Sequence, residues 1–141
     1  VSLFDGRPVI AVRRVSPDFF DRYGMVAIDE NITGDVVTVL SAIEKPGAAA
    51  PSDLGIVGRY LFTPEVFVDL AAIERGHGGE IQLTDAIDRG ARREGALALI
   101  VGDDLLDIGR PAGLLEATAA VGLSRPDLAD EFRAALLEML E

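Results

Sequence analysis

The sequence predicts an α/β domain with its strands early and its helices late, and three observations predict it. Short aliphatic and β-branched runs, punctuated by Gly, Pro and Asp, recur between residues 8 and 62. A further apolar run of strand length lies at 96–101, between two segments with helical apolar spacing. Finally, 49% of the 141 residues are apolar, enough material for a core in one domain.

Each element has its own local reason. Residues 8–15 are β-rich and bounded by Gly6 and by Ser16-Pro17, which reads as a strand. Ser16 then stands as N-cap with Pro17 at the first helical position, opening a short helical turn through Arg22. Segments 24–28 and 35–43 read as strands joined by the turn 31–34, and 55–62 as another, ended by Thr63-Pro64. Thr63 as N-cap and Pro64 as N1 start a helix that ends near Gly76, with Val66, Phe67, Leu70 and Ile73 as its apolar stripe. A second helix covers about 81–93, then the strand 96–101, then helices over 111–123 and 126–140. The last carries Leu128, Phe132, Ala135, Leu136 and Met139 at helical spacing, the pattern of a face packed on a core or partner.

Composition removes several function classes. With 13 Lys plus Arg against 24 Asp plus Glu the net charge is −11, which repels phosphate backbones and anionic lipid, so neither nucleic acid nor a membrane surface is an expected partner. A small anion held by a few focused cations and a metal remains compatible. The absence of Cys excludes disulfides, zinc–thiolate sites and thiol nucleophiles, and a lone His77 argues against a His-based triad or a multi-His metal site. The apolar stretch at 96–101 is far short of the ~20 residues of a membrane helix. The expectation is a soluble, cytoplasmic protein, and a start at Val1 rather than Met points to a fragment.

Four clusters carry potential chemistry. Glu44-Lys45-Pro46 ends a strand, because Pro46 lacks an N–H and turns the chain out of the sheet. Open α/β sheets bind ligands at that end, where a carboxylate can accept from sugar hydroxyls and an ammonium can neutralise a phosphate; a solvated loop pair is the alternative. The glycines of Gly76-His77-Gly78-Gly79, ahead of Glu80-Ile81-Gln82-Leu83-Thr84-Asp85, permit close backbone approach to a ligand at a helix start, or else simply make a connector. His77 itself reads as an exposed loop residue. In the acidic run Asp103–Asp107, only Asp107 has the Asp-x-Gly context that suits Mg²⁺, which takes one or two carboxylates beside phosphate oxygens and water; Asp103 and Asp104 read as turn residues. Arg22-Tyr23-Gly24 could bring the Gly24 backbone against a ligand or merely open the next strand.

Taken in order, these stretches resemble the bacterial UTP–glucose-1-phosphate uridylyltransferases, within the sugar nucleotidyltransferase superfamily. The matching residues are Arg22-Tyr23-Gly24, Ile43-Glu44-Lys45-Pro46, Ile56-Val57-Gly58-Arg59-Tyr60, Gly78 through Ala86 and Asp107-Ile108-Gly109, followed by the tail Arg125-Pro126-Asp127-Leu128. The run Gly78-Gly79-Glu80-Ile81-Gln82-Leu83-Thr84-Asp85 is specific to the uridylyltransferase branch. The likeness extends from about Val9 to the C-terminus but covers only the second half of such an enzyme: no glycine-rich nucleotide loop occurs. Departures from the family pattern are Asp53, His77, the acidic and aliphatic residues at 103–106, and Arg110-Pro111.

The resemblance implies part of a Rossmann-like, mixed-sheet nucleotidyltransferase fold with C-terminal helices, residues 1–141 forming its sugar-phosphate-binding part. It implies uridylyl transfer from UTP to glucose-1-phosphate, giving UDP-glucose and pyrophosphate in the intact enzyme, with this chain alone inactive. Gly24 would contact the sugar through its backbone, Glu44 would bind glucose hydroxyls, Lys45 the phosphate, Tyr60 would line the sugar pocket, and Glu80 would lie near the sugar. Asp107 would hold Mg²⁺ and, with Lys45, serve catalysis. The family commonly forms homo-oligomers through its C-terminal region. The alternative is a non-catalytic sugar-phosphate-binding or oligomerisation module derived from the same family.

Overall fold

The computed structural model describes residues 6–29, 34–102 and 108–140, which fall into two compact units divided between Gly102 and Asp103. The first contains strands β1 (Val9–Arg14), β2 (Gly24–Ile28), β3 (Val36–Glu44), β4 (Leu54–Leu61) and β5 (Ala96–Ile100), with helices α1 (Glu65–Ala72) and α2 (Leu83–Glu94). The second contains helices α3 (Pro111–Ser124) and α4 (Ala129–Glu138). Among the described residues, no helix is long and apolar enough to cross a membrane.

The five strands close on themselves in the order β1-β4-β2-β3-β5. The β1–β5 pair is parallel and the remaining pairs are antiparallel, so the sheet is mixed as expected. Alternation along β1 places Ile10 and Val12 inside, where they meet Val26, Val37, Val39, Leu54, Ile56 and Ala98 from the other strands, with Ile87 and Ala91 of α2. Period-two side chains from every strand thus fill one core, which α2 covers with the apolar stripe of an amphipathic helix.

Two registers shape the end of β3. Gly24 at the start of β2 pairs with Glu44, the last residue of β3. β5 pairs only with Val36–Val39 of β3, so the last residues of β3 run beyond it. There the Ala42 N–H is donated to Asp88 Oδ1 of α2 at 2.9 Å, a side chain replacing the missing strand partner.

The helix expected from Thr63 to Gly76 is shorter. α1 ends at Ala72 because Ile73 is already extended (φ −87°, ψ 151°), and no side-chain hydrogen bond caps its start. The expected stripe forms in part: Val66, Leu70 and Ile73 are half-buried, but Phe67 is 73% exposed, and the buried residue of α1 is Asp69. Asp69 is held by Arg93 Nη1 at 2.5 Å and Arg89 Nε at 3.2 Å, both on α2. The helical turn after Ser16 is a single 3₁₀ turn, Pro17–Phe19, without a Ser16 side-chain cap.

In the second unit, α3 and α4 pack across Gly122. A Cβ there would come within 2.7 Å of the Phe132 ring, so the glycine sets how closely the ring approaches. Phe132, Ala135 and Leu136 are half-buried, while Leu137, Met139 and Leu140 remain exposed.

Candidate functional site

The site is built where β3 leaves the sheet. Lys45 follows the last residue of β3 and has φ +47°, the left-handed conformation that side chains with a Cβ rarely adopt. Its N–H is donated to Tyr23 O at 3.1 Å and that of Gly47 to Phe20 O at 3.2 Å, so both sides of Pro46 are tied to the segment ahead of β2. This tight turn brings the Lys45 ammonium back to 3.3 Å from Glu44 Oε1.

The second oxygen of Glu44 is also engaged: Thr84 Oγ1 donates to Glu44 Oε2 at 2.5 Å from the first turn of α2. The Glu44 side chain is only 14% exposed, against 36% for Lys45. Gly24 completes the group from β2. A Cβ on it would stand 2.7 Å from Thr84 Oγ1 and 3.0 Å from Glu44 Oε2, so only glycine leaves that hydrogen bond room. Its φ lies outside the left-handed region, so the requirement is space rather than backbone freedom.

Tyr60 and Asp85 feel the same carboxylate. Burial and then the Glu44 charge raise the Tyr60 phenol above its ordinary 10.0. The Tyr60 ring stacks on Phe62, centroids 5.1 Å apart and planes 14° from parallel. A bulge carries it there: between the pairs Ile10–Tyr60 and Val12–Ile56, one residue of β1 faces three of β4, and Gly58 among them takes φ +76°. The Asp85 carboxyl is raised above its ordinary 3.8 by burial, then by Glu44, then by Asp88. It lies against Gly76, where a Cβ would overlap Asp85 Oδ2.

The glycine run ahead of α2 folds on itself. Gly76 N–H is donated to Glu80 O at 2.8 Å, and His77–Gly79 form a 3₁₀ turn with Gly78 and Gly79 at φ +69° and +76°. Arg75 Nη1 reaches Gly79 O and Gln82 Nε2 reaches His77 O. Glu80 is exposed on this loop; among the described residues, no hydrogen bond or ion pair joins its carboxylate to the Glu44 group.

Of the residues expected from the sequence, Gly24, Glu44 and Lys45 come together, and Tyr60 lies within the field of the Glu44 carboxylate. Asp107 lies outside the described residues, as do residues 103–106. Among the described residues, no group of three or more His, Asp or Glu is placed to hold a metal ion. Sequence reasoning missed Thr84 and Asp85 as parts of the group. The Thr-Asp pair opening α2 is a visible signal, but its partner is 40 residues upstream.

Chemically, the group offers a carboxylate with a hydrogen bond on Oε2 and a half-exposed ammonium in ion-pair contact with Oε1, near an aromatic ring pair. That combination can accept hydrogen bonds from hydroxyls and neutralise an adjacent anion.

Comparison with known proteins points the same way. Residues 9–123 match the family model of the nucleotidyl transferases. The chain is 34% identical over 137 residues to a UTP–glucose-1-phosphate uridylyltransferase of Bacillus subtilis, an alignment covering 96% of this chain and 46% of that protein. Among solved structures, a UDP-glucose pyrophosphorylase complexed with UDP-glucose superposes with a TM-score of 0.80 at 30% identity, over 88% of this chain and 48% of that one. The UTP-bound enzyme of Acinetobacter baumannii gives 0.78 at 32% identity, over 95% and 46%. The chain therefore spans about half the length of the relatives it matches. With a mixed sheet of the same build and a family match running from β1 into α3, the chain belongs to the nucleotidyl transferase family.

Proposed function

We propose that residues 1–141 form the C-terminal, sugar-phosphate-binding part of a nucleotidyltransferase that makes UDP-glucose and pyrophosphate from UTP and glucose-1-phosphate. The observation that carries this reading is the Glu44–Lys45 pair, a hydroxyl acceptor and an ammonium 3.3 Å apart at the end of β3. Glu44 accepts from glucose hydroxyls, Lys45 neutralises the sugar phosphate, the Gly24 backbone and the Tyr60 ring border the hexose, and Glu80 of the glycine loop lies near the sugar. The reaction is in-line attack of a glucose-1-phosphate oxygen on the α-phosphorus of UTP, forming the new P–O bond as the bond to pyrophosphate breaks. Such chemistry depends on positioning and charge neutralisation more than on acid–base groups, consistent with a chain lacking Cys.

Mg²⁺ is the implied metal, and Asp107 is the residue assigned to hold it. One carboxylate suffices for that ion when phosphate oxygens and water complete its shell. When bound, the ion supplies charge neutralisation between phosphates that repel one another. The intact enzyme works in the cytoplasm as a homo-oligomer assembled through α3 and α4, a reading supported by the apolar side chains that Leu137, Met139 and Leu140 leave exposed. The residues contacting UTP lie in a part of the enzyme beyond these 141, and the chain alone does not turn over.

Calorimetric titration of this chain with glucose-1-phosphate tests the reading. Saturable binding that Lys45→Met weakens, with free glucose binding much less tightly, supports it. No saturation, or binding indifferent to Lys45, overturns it.

A further inference from the structure

We propose that Thr84 is a positioning residue, holding the Glu44 carboxylate in one orientation for the sugar, and that Gly24 is glycine to leave room for that hold. The proposal rests on the reading of Glu44 as the sugar-binding carboxylate. Glutamate has three rotatable side-chain bonds, and an unrestrained carboxylate would lose that freedom on binding, weakening the complex. Lys45 alone does not fix it, because the ammonium is a mobile point charge on a flexible stem and is itself 36% exposed.

Thr84 differs on each count. It is 7% exposed, its backbone is fixed in the first turn of α2, and its β-branched side chain is stiff. Its hydroxyl donates to Glu44 Oε2 at 2.5 Å, a charge-assisted bond. One anchored donor on Oε2 and one mobile cation near Oε1 define the plane of the carboxylate and leave a lone pair on each oxygen for hydroxyl donors. Gly24 belongs to the same device, since a methyl there would meet Thr84 Oγ1 at 2.7 Å and Glu44 Oε2 at 3.0 Å.

The test compares Thr84→Val, which keeps the shape and removes the donor, with Thr84→Ser, which keeps the donor. Two readouts are taken on this chain: the side-chain rotamer of Glu44, from NMR couplings of its β-methylene protons, and the affinity for glucose-1-phosphate. The expected result is rotamer averaging and about tenfold weaker binding in Thr84→Val, with both restored to near wild type in Thr84→Ser. A single Glu44 rotamer in Thr84→Val overturns the proposal, and so does averaging that leaves affinity unchanged. If the wild-type chain does not bind glucose-1-phosphate, the sugar-phosphate reading falls instead. The rotamer measurement then decides the fate of the Thr84 proposal by itself.

Discussion

The carboxylate of Asp88 accepts the backbone N–H of Ala42 at 2.9 Å, tying α2 to β3 two residues before Glu44. With the Thr84–Glu44 bond one helical turn earlier, α2 grips the part of β3 that β5 leaves unpaired. Removing this acceptor strands a part-buried donor. Asp88→Ala is therefore expected to cost about 1–3 kcal/mol in urea denaturation, with Asp88→Asn, which retains an acceptor oxygen, losing less. The Arg92 pair that Asp88 also makes is 63% exposed on the arginine side and contributes little.

Asp85 gives a pH dependence whose sign is fixed by its neighbours. Its folded-state pKa is raised above 3.8 by burial, Glu44 and Asp88, so the native state binds the proton more tightly than the unfolded chain. Ionised Asp85 therefore opposes folding above its folded pKa, and this opposition fades as pH falls toward the ordinary value. The N-terminus of α2 pulls the other way, by about 0.3–1 kcal/mol, and narrows the margin. Asp85→Asn is expected to be more stable than wild type at pH 7 and to converge with it as pH falls below 3.8, in chemical denaturation followed across that range. A constant difference at all pH values would show that the titration of Asp85 is not the cause.

Much of the fold is legible in the sequence, for reasons that differ by element. Runs such as Ala96–Ile100 announce themselves because aliphatic residues between Gly95 and Gly102 have few other uses. Glu44 and Lys45 are legible because Pro46 marks where β3 must end. The closure of five strands is not, since the pairing of β1 with both β4 and β5 is a long-range choice with no local signal. Phe67 misleads because helical spacing marks an apolar face without fixing which edge of it is covered: Val66, Leu70 and Ile73 are half-buried, while the inward position of α1 is taken by Asp69. Thr84 and Asp85 read as the end of a glycine-led run, and their partner Glu44 becomes visible only once α2 is laid against β3.

Lys45 holds a strained backbone, and its strain and its charge can be separated. A residue with a Cβ at φ +47° costs on the order of 1–2 kcal/mol, which glycine largely avoids while losing about 0.5–1 kcal/mol to its more flexible unfolded chain. Lys45→Gly is expected to exceed Lys45→Ala in stability by up to about 1 kcal/mol, since both lose the ammonium and only one keeps the strain. Both should lose affinity for glucose-1-phosphate equally under the proposed function. Thermal unfolding and calorimetric titration of the two variants measure the two quantities separately.

The Asp69 cluster between α1 and α2 is asymmetric, and the asymmetry is testable. Asp69 is 2% exposed, whereas its partners Arg89 and Arg93 keep 55% and 40% of their side chains in solvent. Removing the acid leaves two guanidinium groups that can turn to water, and a cavity the size of a small side chain. Removing both arginines leaves a carboxylate with no ready route to solvent and no cation to offset its desolvation. The double variant Arg89→Ala/Arg93→Ala is therefore expected to lose about 3–5 kcal/mol, the cost of an uncompensated buried charge. Asp69→Ala should lose clearly less, within about 1–3 kcal/mol. Denaturant midpoints for the two proteins order them directly, and a larger loss for Asp69→Ala would mean that the packing of α1, rather than the buried charge, dominates this contact.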